Sequence, residues 1–388
     1  MIPLSYNIRN LAVRKTTSAA AGIGLALVVF VGAGALMLSN SIRKTLGRAA
    51  DPDVAVVLRK GADVELASSI EEPSIGLVTA TPGVARRSNG SPDASAELLV
   101  VVLLDKLGTD GFSNVQIRGV PEDVLTFRRN AHIVAGRAPH PGTDEVMVGQ
   151  GIRGRFKGVD VGQSFELKKN RQVTVVGVFE DGASSFESEV WADLNTVRTA
   201  FGRDGLVSSI RVRLESPSKF DGFKASIEQN RQLNLEAMRE TAYYDKQSSG
   251  IAGFMTFLGV FISAAFGLGA IIGAMITMYA AVSNRQREIG TLRALGFSKA
   301  SIVMSFLIEA VMLAVIGGIV GAVASIGLSF VKFSMMNYVS WSEIVIGFEP
   351  SLVTVGAAML GAVAMGVLGG LFPAIRAARM NPVVAMRA

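Results

Sequence analysis

The chain has 388 residues, 49% of them hydrophobic, with 38 Lys and Arg against 32 Asp and Glu and no cysteine. A mean hydropathy of +0.41 is too high for an ordinary soluble protein, so part of the chain belongs in lipid. Without cysteine there are no disulfide staples and no thiolate sites, and the net charge of +6 points to nucleic acid only if the basic residues cover a folded surface.

Residues 1–16 are polar and carry Arg9, Arg14 and Lys15 ahead of an apolar run over 17–39. That run is too long for a cleaved signal, whose apolar region is about 7–15 residues, and long enough for a hydrocarbon core of about 30 Å. It predicts a first membrane span with the amino terminus inside.

Residues 40–250 have nearly balanced charge and most of the Pro, Asn and Asp, which predicts a large folded domain outside. Short β-branched runs at 54–58, 98–104, 115–117, 173–179 and 210–214 read as strands. Helical patterns cover 194–201 and 218–230, the latter opened by Ser216-Pro217-Ser218 as a cap signal. The expected fold is a membrane α-helical protein of four spans with an α+β extracytoplasmic domain between the first and second. A turn-rich β unit is expected as an insertion at about 121–204.

The second span falls at 251–283, where a charge-free run of about 48 Å at helical rise exceeds the bilayer core. The excess predicts a stalk continuing outward, unless tilt or a break near Gly267 and Gly269 absorbs it. A third span follows at 300–330, a short external loop at 331–350, a fourth span at 351–375 and a tail at 376–388. Glycines four apart, Gly269 with Gly273, Gly317 with Gly321 and Gly366 with Gly370, allow close helix packing.

Between the second and third spans lies a charged island, 284–299, read as a short helix on the membrane surface. Ile289, Leu292 and Leu295 recur three apart on one side, Arg285, Arg287 and Arg293 spread around the rest, and Gly296 is a helix stop. Arg9, Arg14, Lys15, Arg285, Arg287, Arg293, Lys299, Arg376, Arg379 and Arg387 all fall in the three stretches placed inside, where Glu288 is the one acid. The basicity therefore follows topology, and nucleic acid is excluded as its explanation.

No Gly is followed by Lys, so the phosphate-cradling loop of a nucleotide site is absent from the sequence. His132 and His140 lack metal-site spacing, and no Gly-x-Ser-x-Gly elbow follows a strand, so no catalytic or metal site is expected. Glu309 stands inside the third span, where a carboxylate is costly enough to suggest function, or a structural pairing with Arg285 or Arg287.

One span, a large outer domain and three further spans, with Arg-Glu-Ile-Gly-Thr-Leu-Arg-Ala-Leu-Gly at 287–296, resembles the MacB-like, FtsX-related permeases of ABC transporters. The likeness continues through Phe306-Leu307-Ile308-Glu309-Ala310 and through Pro373-Ala374-Ile375-Arg376-Ala377-Ala378 with Asn381-Pro382. Outside the membrane, residues 158–163 and 175–178 resemble the β-rich part of that family's periplasmic domain.

The resemblance implies a non-catalytic inner-membrane subunit that works by mechanotransmission, with both termini cytoplasmic and the large domain periplasmic. Arg285, Arg287, Glu288, Ile289, Leu292, Arg293, Leu295 and Gly296 would dock a separate cytoplasmic ABC ATPase, which binds ATP and Mg. Pro373, Arg376, Arg379 and Pro382 would make a second cytoplasmic contact. The other implied partners are a second permease copy, identical or not, membrane lipid, and a periplasmic adaptor with an outer-membrane channel. Because about sixteen residues precede the first span, the ATPase is expected as another chain. Two variants stay open: a lipoprotein-release permease of the Lol type, and an FtsX-like scaffold that relays ATPase cycles to a cell-wall hydrolase.

Overall fold

The computed structural model describes residues 15–230, 232–337 and 340–381. They form two compact units, one drawn from residues up to 41, 252–332 and 347 onward, the other from 42–251 and 333–346.

Helix α1 (Lys15–Gly47) leads into the second unit, an α+β domain. Its elements are β1 (Val54–Arg59), β2 (Ile70–Glu71), α2 (Glu72–Thr79), β3 (Ala94–Asp105), β4 (Phe112–Val120), α3 (Val124–Phe127), β5 (His132–Gly136), β6 (Glu145–Gly149), β7 (Ser164–Lys168) and β8 (Arg171–Glu180). They continue with β9 (Glu189–Asp193), α4 (Leu194–Phe201), β10 (Leu206–Val207), β11 (Ser209–Arg213), α5 (Phe220–Gln229) and β12 (Leu235–Arg239).

The main sheet runs β12-β1-β11-β3-β4-β9-β6-β8-β5, with β7 on β8. β3 joins two lobes, because Ala94 to Glu97 pair with β11 while Leu98 to Asp105 pair with β4. Alternation places Ala55, Val57, Ile210 and Val212 against Phe223 and Ile227 of α5 in one core. Leu98, Ile117, Val148, Val178 and Val190 build the other. The second lobe thus draws on the chain from Leu98 onward, earlier than the inserted unit expected from 121, because the β3–β4 hairpin supplies two of its strands.

Helix α4 occupies the residues its pattern indicated. Asp193 accepts the Thr196 amide at 3.0 Å, and Gly202 ends the helix at φ 63°, a left-handed position that suits glycine. The helix expected from 218 starts later, at Phe220, after a 3₁₀ turn over Pro217–Lys219. Ser216 makes no side-chain cap bond there. Its hydroxyl lies 2.9 Å from that of Ser218.

The remaining elements are α6 (Glu240–Asn284), α7 (Gln286–Ala294), α8 (Lys299–Gly327), β13 (Lys332–Asn337), β14 (Ser342–Gly347) and α9 (Leu352–Ala378). Among the described residues, the long helices α1, α6, α8 and α9 are the four whose length and hydropathy suffice to cross a membrane. α6 is 45 residues long, about 68 Å, or twice a hydrocarbon core of about 30 Å. Its excess is a continuous helix reaching back to Glu240, with no break at Gly267 or Gly269.

Two of the three glycine pairs are occupied by contacts inside the helical unit. A Cβ on Gly317 would stand 2.6 Å from the Gly22 carbonyl oxygen, and one on Gly321 would collide with the Ala26 carbonyl, so α8 lies against α1 backbone to backbone. Gly366 and Gly370 face Ala314 and Ala310 of α8, with Cβ positions only 2.5 Å from those methyls. Gly269 and Gly273 have nothing within 4 Å of a Cβ.

The segment expected as a short loop, 331–350, holds the β13–β14 hairpin, and residues 333–346 of it belong to the α+β unit. Glu343 Oε2 lies 2.9 Å from Lys106 Nζ, Arg155 approaches its other oxygen at 3.5 Å, and the Val345 amide donates to Ser188 Oγ at 3.0 Å. Burial works against ionisation of Glu343, but hydrogen bonds from Ser113 and Ser334 and the Lys106 ammonium hold its carboxyl below the usual carboxylate range.

Candidate functional site

Helix α7 is the charged island of the sequence, and one residue fixes it. Ile289 is 2% exposed and packs into a cluster with Met278 and Val282 of α6, Ile302, Phe306 and Ala310 of α8, and Ala374, Ala377 and Ala378 of α9. Leu292 and Met380 close the edge of this knot. The charged island and the carboxyl-terminal stretch, read separately in the sequence, are thereby joined.

Arg285 stands at the turn before α7. Its Nε donates to Glu288 Oε2 at 2.8 Å and its Nη1 to Glu309 Oε2 at 3.0 Å, while the guanidinium lies 5.0 Å over the Phe306 ring. Glu309 is 3% exposed, and its bond from Arg285 ties the turn between α6 and α7 to α8. Arg293 is also turned inward, donating from Nη1 to the Phe297 carbonyl at 2.9 Å.

The outward face carries Arg287, Thr291, Ala294 and Leu295. Leu295 is 72% exposed, although three-residue spacing groups it with Ile289 and Leu292. At about 3.6 residues per turn Leu295 stands about 120° around the helix from Ile289, so steps of three residues carry it off the buried stripe, and Gly296 at φ 94° then turns the chain away. A basic, partly apolar face backed by a packed knot suits contact with another protein, since exposed apolar side chains beside arginine are the usual anchors of interfaces.

At the end of α9, Pro373 is buried inside the helix. Arg376 projects outward with its guanidinium 5.6 Å over the Tyr279 ring, and Arg379 caps the helix. Pro382 lies outside the described residues. His132 and His140 are on the α+β domain: the His132 ring nitrogen Nδ1 is 3.2 Å from the Asn130 carbonyl, and the His140 amide donates to Glu145. Among the described residues no group of three or more His, Asp or Glu is placed to hold a metal ion.

Residues 16–230 match the family model for the MacB-like periplasmic core domain, and residues 260–382 match that for the FtsX-like permease C-terminal region. The chain belongs to the MacB-like ABC transporter permease family. This permease is 28% identical over 224 residues to a protein of Bacillus subtilis described as the uncharacterized ABC transporter permease YknZ, a match covering 55% of this chain and 54% of that one. It is 30% identical over 234 residues to the macrolide export ATP-binding/permease protein MacB of Shigella boydii, covering 57% of this chain and 34% of MacB. The match therefore spans about half the length of YknZ and a third of MacB. Among solved structures, the periplasmic region of MacB from Actinobacillus actinomycetemcomitans aligns with a TM-score of 0.38 and 10% identity, covering 51% of this permease and 94% of that chain.

Two features of this permease are not legible in its motifs: the docked β13–β14 hairpin, and a buried ionic cluster around Arg118 and Arg211 in the α+β domain. A signal for the second is present in Ser209-Ile210-Arg211-Val212-Arg213, where two arginines share one face of a strand whose other face is core.

Proposed function

We propose that this chain is the membrane subunit of an ABC transporter, taking motion from a separate ATPase at α7 and the end of α9 and passing it through α6 to the α+β domain. The domain then acts on a periplasmic or membrane-associated substrate without that substrate entering the spans. The observation that carries this reading is the unbroken helix Glu240–Asn284, which starts inside the domain and ends one residue before α7. A single helix is the stiffest connection a chain provides.

The outward face of Arg287, Thr291, Ala294 and Leu295, with Arg376 and Arg379 nearby in sequence to the same knot, is the proposed ATPase contact; ATP and Mg belong to that partner. The clustering of Arg and Lys at this end supports a cytoplasmic location, with the α+β domain on the opposite side of the inner membrane. A second permease copy, lipid, an adaptor and an outer channel complete the proposed assembly.

The absence of native cysteine allows a direct test in intact cells. A cysteine at Ser249 should react with a membrane-impermeant maleimide, and one at Thr291 only after permeabilisation, while the ATPase co-purifies with the permease in detergent. Equal labelling of both sites from outside, or permease that purifies without ATPase, overturns the reading.

A further inference from the structure

Arg211 and Arg213 on β11 lie on the face opposite Ile210 and Val212. Such a face is ordinarily solvated, yet Arg211 is 0% and Arg118 of β4 is 2% exposed. Arg118 grips Glu189 through Nε and Nη2 at 2.7 and 2.8 Å, and its Nη1 reaches Glu97 at 2.8 Å and Glu65 at 3.0 Å. Arg211 Nη1 binds the same two acids at 2.7 and 2.6 Å. Burial opposes charge on Glu65, but the two guanidiniums prevail and hold its carboxyl well below the usual range.

The first turn of α6 closes this cluster. Glu240, its first residue, accepts from Arg211 Nε at 3.0 Å and Arg128 Nη1 at 2.9 Å through one oxygen, and from the Asp51 amide at 2.9 Å through the other. One turn on, Tyr243 Oη accepts the Glu65 amide at 3.3 Å, and Tyr244 Oη lies 3.4 Å from Arg211 Nη2. Residues at i, i+3 and i+4 share one helix face, so this face of α6 is bonded to the sheet through the Glu240 carboxylate and the Tyr244 phenol, and to the 3₁₀ turn at Glu65 through the Tyr243 phenol. Arg128 also donates to the Ala49 carbonyl, and Arg213 joins Asp51 to Asp93 at 2.6 and 3.0 Å, which brings in the segment following α1.

An apolar interface of the same size would be at least as stable, because burying ion pairs costs most of what they return. What the ions add is direction. Apolar side chains slide past one another with little change in energy, whereas charge-assisted bonds of 2.6–3.0 Å in a dry interior weaken steeply when a helix turns or shifts.

We propose that Glu240, with Arg211 and Arg128, is a rigid joint that fixes the tilt and rotation of α6 relative to the sheet, so that displacement of the helix moves the domain as one body. Glu240 is a positioning residue in this scheme, and the inference rests on the lever reading given above. Loss of the joint would leave the helix moving and the domain behind.

The test uses the full chain in lipid nanodiscs with spin labels on cysteines at Ser249 of α6 and Lys169 in the β7–β8 turn. The parent gives one narrow distance distribution. Glu240→Gln keeps the shape and removes the charge, and it should widen that distribution at least twofold while amide exchange of β1, β11 and β12 stays within twofold of the parent. An unchanged width overturns the joint. Should Glu240→Gln expose the sheet to exchange, Tyr243→Phe with Tyr244→Phe, which removes hydroxyls alone, replaces it: widening with a protected sheet supports the joint, and no widening overturns it.

These arms need no ATPase, so they stand apart from the lever reading. In the assembled transporter the parent's label distance should not change with nucleotide, because helix and domain move as one body, whereas Glu240→Gln should keep ATP turnover within twofold and gain a nucleotide-dependent shift in that distance as the helix moves and the domain stays behind. A shift in the parent would overturn the joint, and a variant that loses turnover and shows no shift would be one of purely structural importance, which would overturn the positioning role. No shift in either protein, with turnover kept and the variant's distribution still widened, would instead sink the lever reading and leave the joint intact.

Discussion

Arg285 Nη1 lies 3.0 Å from Glu309 Oε2, so the acid that stands in an apolar helix is answered by the first cation after α6. The pair holds the turn into α7 against α8, and Phe306 lies beneath the guanidinium. Glu309→Ala would remove the buried carboxylate that faces a largely buried cation, and removing one member of a buried pair costs about 3–5 kcal/mol. The melting temperature of the detergent-solubilised chain should fall clearly, and less for Glu309→Gln, which still accepts a hydrogen bond. Identical melting of Glu309→Ala and parent would show that the pair contributes nothing.

The two faces of α7 should separate stability from partner binding. Ile289→Ala removes a side chain from the center of the knot and should cost about 2–5 kcal/mol. Leu295→Ala and Arg287→Ala touch the outward face and should leave melting unchanged while weakening ATPase association roughly tenfold, the scale of an interface anchor worth more than 1 kcal/mol. Binding measured by surface immobilisation of the permease checks this. Glu288 and Arg293 turn inward to Arg285 and to the Phe297 carbonyl, so their replacement should act through the shape of the turn.

The glycine pairs divide in the same way. Gly317→Val and Gly321→Val drive side chains into the backbone of α1 and should destabilise by at least about 2 kcal/mol or prevent accumulation of folded chain. A Cβ on Gly269 or Gly273 meets nothing within 4 Å, so Gly269→Val and Gly273→Val should leave monomer stability unchanged in detergent. A comparison of melting curves for the four variants decides the matter.

Asp181, in the loop after β8, is pushed up to about 6 by burial, with the Ser184 hydroxyl and Arg128 pulling the other way. Below about pH 4 this carboxyl is protonated whether the domain is folded or not. Between there and pH 6 the unfolded chain loses the proton first, so stability declines, and above 6 the loss is complete at on the order of 2 kcal/mol. Asp181→Asn should therefore raise the melting temperature at pH 7.5 and leave it unchanged at pH 4. A stabilisation of equal size at both values would assign the effect to packing.

Run length and hydropathy were enough to locate α1, α8 and α9, because the hydrocarbon core sets a length that no short motif imitates. The pattern over 194–201 matched α4, whose ends are set by local chemistry, the Asp193 side-chain cap and the left-handed Gly202. The ionic cluster was hidden because Glu65, Glu97, Arg118, Arg211 and Glu240 are scattered along the chain, and Glu97, Arg118 and Arg211 each look like members of a solvated strand face until the first turn of α6 covers them. Leu295 was misplaced because steps of three residues drift about 60° each around a helix of about 3.6 residues per turn, so the sixth residue from Ile289 has left the buried face. The β13–β14 hairpin offers no strict alternation, and its position is set by Glu343 meeting Lys106 and Arg155, partners far away in sequence.

That hairpin orders events during synthesis. All strands of the main sheet have left the ribosome once Arg239 has emerged, so the sheet can form while α6 and α8 are still being made. On the topology proposed above, Glu343 and Val345 arrive about a hundred residues later, after α8, and can reach Lys106, Arg155 and Ser188 only if α8 has delivered them to the side where the sheet already stands. On the same topology, a chain whose α8 is inserted backwards or not at all leaves that docking surface bare. Closure of the hairpin therefore follows the placement of α8 and reports whether that helix was threaded correctly.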